Sequence, residues 1–286
     1  MIIVSIPVCI LGLAGNGMVI LFLCCTIKKN KFTVYVMNIA IADFAVLLYL
    51  FCYFLLFVEP IPINVHISRL IQIMYILGRN FSFYILTALC VERYLSVFFP
   101  VWCQHHRPRH FSVILSIILW AFSCLISLLE DYACYPRFYS YLYEHALSCD
   151  IVITFEMSLG FLIFIPIMVF CTLSVFIRKG GGTQQIPQAL LDNTIMAVVL
   201  LYLVFDPSVR ILEIIDYWYD DIVNIPVFIT SVIFDCITSS INPYLYFVIG
   251  WWNRQRAWET LDIFLERALK YERTVIQRTQ ADQEKA

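Results

Sequence analysis

Seven long apolar runs divide this chain, and each is too long and too continuous for a strand or surface helix of a water-soluble domain. They cover residues 2–27, 33–58, 68–98, 111–130, 151–178, 190–216 and 222–249. In a hydrocarbon core no water is present to satisfy backbone N–H and C=O groups. A spanning segment must therefore be a helix of about 20 residues or a strand of a closed barrel. Barrel strands are about 10 residues long and alternate polar with apolar, whereas stretches such as 113–119 and 195–204 do not alternate. The prediction is seven transmembrane helices. Composition agrees, because only 14 % of the chain is charged and 61 % is hydrophobic, against about 25 % charged in a soluble domain. The first run follows Met1 at once, with no charged leader and no small-residue cleavage site. It reads as a span and not as a cleaved signal peptide.

The connections are sorted by charge. Lys28, Lys29 and Lys31 lie in the first, Arg107 and Arg109 in the third, Arg178 and Lys179 in the fifth. The others carry Glu59, then Glu130, Asp131, Glu144 and Asp150, then Glu213, Asp216, Asp220 and Asp221, with Arg69 and Arg137 as their main basic residues. Basic loops face the cytoplasm. The alternation therefore predicts an outer N-terminus and an inner C-terminus. Residues 1–250 read as the bundle. Residues 251–271 interleave Trp251, Trp252, Trp258 and Phe264 with Arg254, Arg256 and Glu259, the pattern of an amphipathic helix on the inner membrane face. The polar tail 272–286 reads as disordered. Gly180-Gly181-Gly182 separates the fifth run from the sixth.

Each span carries a polar or proline mark. These are Gly15-Asn16, then Asn38 with Asp43, then Glu92-Arg93-Tyr94, Trp120, Pro166, Pro207, and Asn242-Pro243-Tyr244-Leu245-Tyr246. Taken singly, a lone Asn reads as a helix-packing residue and Arg93 as a snorkelling charge at the inner boundary. Taken together, in order and one set per helix, they resemble the rhodopsin-like (class A) G-protein-coupled receptors over essentially the whole chain. Within that class the chain resembles Mas and the Mas-related receptors. The carrying segments are Phe32-Thr33-Val34-Tyr35, Gly78-Arg79-Asn80, Leu86-Thr87-Ala88, Val91-Glu92-Arg93, Leu95-Ser96-Val97, His106-Arg107-Pro108, Leu119-Trp120-Ala121 and Ser123-Cys124-Leu125. Two absences agree with the resemblance: residues 67–75 hold no Cys, and Phe205 stands where most of the class has Trp. Tyr94, Asp206, Arg79 and Asp235 depart from the group's pattern. No Cys follows Cys236, so no palmitoylated tail is expected.

The resemblance implies an all-α bundle of seven transmembrane helices, with an eighth on the inner surface, and a plasma-membrane receptor that is not an enzyme. It implies a Cys134–Cys149 disulfide in place of the usual bridge. Asp43 would form a polar core with Asn16, Ser82, Ser239 and Asn242, the site of an allosteric sodium ion in the class. Glu92 would hold Arg93 at rest. Arg93, Tyr94 and the Asn242-Pro243-Tyr246 segment would then work the G-protein switch. The partners implied are an extracellular ligand, a heterotrimeric G protein, arrestin and membrane lipid, with no nucleic acid and no cofactor beyond sodium.

Tyr75 occupies the position where amine receptors carry Asp, while the outer connections are acidic and attract cations. The ligand expected is a basic peptide or an amine-bearing molecule. The resemblance puts its first contact at Glu130, which aligns with a pocket acid of the Mas-related receptors; Asp150 and Asp216 come next, with Tyr75, Arg79, Arg210 and Asp235 deeper. Unpaired buried charge is costly, so Arg79 is expected to pair with Asp235 or Asp206. The alternatives are a class A receptor for another ligand class, or a transporter. A transporter's internal repeat is not visible, and neither are the glycine, Ser or His motifs of common enzymes.

Overall fold

In this computed structural model the described residues are 2–25, 31–58, 64–108, 110–139, 147–180, 186–218 and 224–252. Among them there is no strand, and all but a few turn and connecting positions are helical. The long elements are α1 (Ile2–Cys25), α2 (Lys31–Val58), α3 (Val65–Phe98), α5 (Phe111–Tyr139), α6 (Leu147–Leu159) continuing through a π-helical turn (Gly160–Phe164) into α7 (Ile165–Gly180), α8 (Ile186–Trp218) and α9 (Asn224–Trp252). A short α4 (Pro100–His105) follows α3. Six of these segments are long and apolar enough to cross a membrane among the described residues. α9 is the seventh helix of the bundle, with 29 residues. Within the described residues each predicted run falls in one helix, except the fifth, which α6, the π-helical turn and α7 share. The fourth helix outruns its prediction, ending at Tyr139 and not near residue 130. The amphipathic segment beyond Trp252 and the polar tail lie outside the described residues.

Burial identifies the central helix. In the most apolar window of His66–Phe98, 67 % is buried at a mean hydropathy of 1.3, against 17 % buried at 2.6 for Leu147–Arg178. The least apolar helix is thus the axis of the bundle, because its polar groups find partners there and its neighbours meet the lipid. The main core packs Tyr35, Ile39, Phe81, Phe83, Ile85, Leu86, Met168, Val199 and Tyr202 around it. Outward-facing Leu21, Ile117, Leu162 and Ile177 are exposed, as expected where the solvent is hydrocarbon.

Small residues set the closest approaches. A Cβ on Gly78 would lie 2.9 Å from Val46 Cγ2 and 3.0 Å from the Ala42 carbonyl oxygen. Glycine there lets α3 lie directly on α2 beside Asp43. A Cβ on Gly12 would collide with Ser240 in the same way and hold α1 off α9. Prolines 7, 207 and 243 lie inside helices. Pro166 instead is the second residue after the π-helical turn, so the fifth span changes its winding there, one of the recognised causes of a helix kink.

Candidate functional site

Asp43 sits wholly buried at the middle of α2. Its carboxylate accepts from Ser82 Oγ at 2.9 Å and Tyr202 OH at 3.2 Å on one oxygen, and from Asn242 Nδ2 at 2.7 Å on the other. One acid thereby gathers α3, α8 and α9. Charge buried in a low-dielectric interior persists when hydrogen-bonded in this way. Asn16 does not reach it. Its amide donates to the Gly12 and Ser239 carbonyls, each at 3.0 Å, and so pins α1 to α9 one layer away. Ser239 lines the same small cavity as Asp43, Arg79, Ser82, Tyr202, Asp206, Asp235 and Thr238. The oxygen set fits a hard cation in one respect: Asn242 Oδ1 is buried without a hydrogen-bond donor.

From this core toward the Tyr75 end of α3 the bundle holds a charged layer. Arg210, 1 % exposed, donates through Nε to Asp206 at 2.8 Å, pairs with Glu156 at 3.5 Å, and reaches Asn80 Oδ1 at 3.4 Å. Its guanidinium lies 4.7 Å from the centre of the Phe83 ring, and its stem runs beside Gly160 of the π-helical turn. Arg79 stands 3.9 Å from Asp235, which also accepts a hydrogen bond from Tyr75. Of the two partners expected for Arg79, the structure therefore shows Asp235, while Asp206 goes to Arg210. Glu156 and Tyr202 are the members that sequence reasoning missed. A lone acid in an apolar span was the available signal for Glu156, but nothing marked Tyr202.

Cys134 and Cys149 are joined, with their Cα atoms 4.9 Å apart, and the bond fastens α5 to α6. Glu130 lies one turn before Cys134, and Asp150 directly follows Cys149. Helical rise and Cα spacing place these two acids within about 15 Å of each other. The side chain of Asp216, near the end of α8, lies outside the described residues. A second tie was not foreseen. Arg69 Nε contacts both oxygens of Asp131 at 2.9 Å, so an ion pair holds the start of α3 against α5.

At the opposite end of the bundle the expected local pairing of Glu92 with Arg93 is not the arrangement found. The Glu92 carboxylate accepts from Tyr35 OH at 2.5 Å, pairs with Arg107 at 2.5 Å, and lies 3.3 Å from Ser112 Oγ. It faces α2 and α5, and the basic residue that meets it comes from the segment after α4. Arg93 lies 5.2 Å from the Phe32 ring centre and lines a cleft with Cys90, Cys171, Thr172 and Met196. Tyr94 stacks on Phe98 at 4.6 Å. Trp120 stacks on Phe81 at 3.8 Å and donates to Asn38 at 2.9 Å, while Phe205 meets Phe234 of α9 edge-on at 5.3 Å. Pro243 packs against Gly15. The Tyr246 side chain lies outside the described residues.

Seven helices around a buried aspartate, with a charged layer toward one end and a Glu-Arg-Tyr segment at the other, define a membrane-receptor architecture. The chain matches the family described as 7 transmembrane receptor (rhodopsin family) over residues 15–246. It belongs to that family, whose members are receptors and not enzymes. Its relatives narrow the group. The chain is 33 % identical to Proto-oncogene Mas of Rattus norvegicus over 274 residues, covering 92 % of this chain and 81 % of the relative. It is 36 % identical to Mas-related G-protein coupled receptor member H of Mus musculus over 291 residues, covering 98 % and 86 %. It is 31 % identical to Mas-related G-protein coupled receptor member X1 of Homo sapiens over 270 residues, covering 92 % and 81 %. The chain is thus a multi-pass membrane protein of the Mas-related kind, a G-protein-coupled receptor.

Proposed function

We propose that this receptor sits in the plasma membrane with its N-terminus outside, senses a basic peptide or small amine-bearing ligand, and activates a heterotrimeric G protein. One observation carries the ligand reading: among the described residues, buried carboxylates outnumber guanidiniums in the charged layer. Glu156, Asp206 and Asp235 meet Arg79 and Arg210 there, and Glu130 and Asp150 stand along the disulfide-tied wall of α5 and α6. A cationic group entering from that end finds acids already desolvated, where charge attraction is strong. By taking a share of Asp235 or Glu156 it loosens Arg79 or Arg210, and so shifts the balance between two packings of α8 and α9. Glu130 is the first contact, Asp150 and Asp216 the rim, and Tyr75, Arg79, Arg210 and Asp235 the floor.

Signal passes through the Asp43 core to the inner end. Release of Glu92 from Arg107 and Tyr35 frees the Arg93–Tyr94 segment, and the Pro243 and Tyr246 segment of α9 rearranges beside it. Arg93 then meets the G protein, with arrestin as a later partner of the same face. A sodium ion would be held by Asp43, Asn242 Oδ1 and the Ser82 hydroxyl, with Asn16 and Ser239 bracing the layer. Its charge would offset that of the carboxylate.

The test is G-protein activation in cells expressing the chain, with and without a panel of basic peptides, beside Glu130→Gln. Peptide-driven signalling lost in the variant at equal surface expression supports the acidic entrance. Signalling unchanged by the variant removes Glu130 from the pocket. A response only to anionic ligands overturns the cationic reading.

A further inference from the structure

Cys9 of α1 and Cys236 of α9 bring their sulfurs to 2.9 Å, and the two residues are 0 % and 1 % exposed. Both are reduced, and no role in the charged layer or the inner switch uses them. The seam around them is closely set. Gly12 leaves no room for a Cβ beside Ser240, Ser240 donates to the Val8 carbonyl at 3.2 Å, and Tyr244 donates to the Leu11 carbonyl at 3.0 Å. α1 and α9 are therefore in close contact beside the sulfur pair. A disulfide needs S–S near 2 Å, so a closing of about 1 Å converts the contact into a bond.

We propose that Cys9 and Cys236 are a redox-reactive pair, closed to a disulfide by a hydroperoxide, that fastens α1 to α9. A small neutral oxidant suits a seam from which charged thiol reagents are excluded. One sulfur attacks the peroxide, breaking its O–O bond to give a sulfenic acid and water. The second sulfur then displaces the hydroxyl as water, forming the S–S bond. Two thiols and one hydrogen peroxide become one disulfide and two waters, the sulfurs losing two electrons in all and the peroxide gaining them. The neighbouring sulfur traps the sulfenic acid within the molecule, before a second peroxide can carry it further up the oxidation series. The bond would lie on the same helix as the Asn242-Pro243 segment, and would hold α9 against α1 just ahead of the Asn16–Ser239 contact.

The experiment treats the full chain in lipid discs with hydrogen peroxide, denatures it with a thiol alkylator and digests it without reductant. A count of nine free thiols, the reduced set, falls by two in the proposal. A linked peptide containing Cys9 and Cys236 appears and is removed by reductant. It is absent from Cys9→Ser, whose folding is checked by its melting temperature. Full alkylation of both residues after treatment overturns the proposal. So does conversion of each to a sulfinic acid without a linked peptide. Both readouts come from the unmodified chain, so a variant that fails to fold leaves the answer intact.

Discussion

Replacing Arg210 by Met removes a guanidinium that is 1 % exposed and leaves the buried Asp206 and Glu156 without a salt-bridge partner among the described residues. The side chain also gives up Asn80 and its position over Phe83. Methionine fills a comparable volume, so the loss is electrostatic and not a cavity. Breaking a buried pair by deleting one partner costs about 3–5 kcal/mol. For a bundle of this size each kcal/mol corresponds to about 2–4 °C in the melting midpoint, so the expected fall is about 6–20 °C. The assay is thermal unfolding in detergent at one fixed scan rate, since unfolding of such a protein is kinetically controlled. The triple variant Arg210→Met, Asp206→Leu, Glu156→Leu removes Arg210 together with both of its carboxylate partners. It is expected to recover most of the loss, because an apolar replacement carries no desolvation cost. A single variant that melts with the parent refutes the reasoning, as does a triple variant that melts below the single one.

Three further outcomes follow from the packing. Gly78→Ala places a methyl 3.0 Å from the Ala42 carbonyl oxygen, an atom that cannot rotate away. It should cost about 1–3 kcal/mol as overpacking, read as a lower melting midpoint, with Gly17→Ala, whose nearest neighbour is 3.7 Å off, as the mild control. Arg107→Ala leaves Glu92 with Tyr35 and Ser112 alone, and ligand-independent signalling should rise in a reporter assay; an unchanged baseline at equal expression argues against a resting lock at this pair. Cys134→Ser opens a tether with a sequence separation of 15, worth about 3 kcal/mol in the chain-entropy account, and reductant should lower the melting midpoint of the parent but not of the variant.

Much of this molecule is legible along the chain. Length and hydropathy of the seven runs dictate helices, because a bilayer admits no other open-ended element. The polar mark in each span locates the layers, since an ionisable group at that depth persists only with partners. The resemblance gathered Asn16, Ser82, Ser239 and Asn242 around Asp43; Ser82 and Asn242 bond to it, while Asn16 turns to the Gly12 and Ser239 carbonyls. The partners of the charges were legible only in part. Burial called for a carboxylate partner of Arg79 but left Asp235 and Asp206 open, and the structure shows Asp235; Glu92 went to Arg107 and Tyr35, Asp131 to Arg69, and Arg210 to Glu156 as well as Asp206. The reason is physical. In a soluble helix the apolar stripe marks the buried face; here lipid and core are both apolar, and the stripe disappears. Sequence therefore determines where each helix crosses and how deep each charge lies. The rotation of each helix about its own axis is decided by close approaches such as Gly78 on α2 and by the π-helical turn at Gly160, which sets the register of α7 against α6. Those rotations exist only in the packed bundle, and they choose which charge meets which.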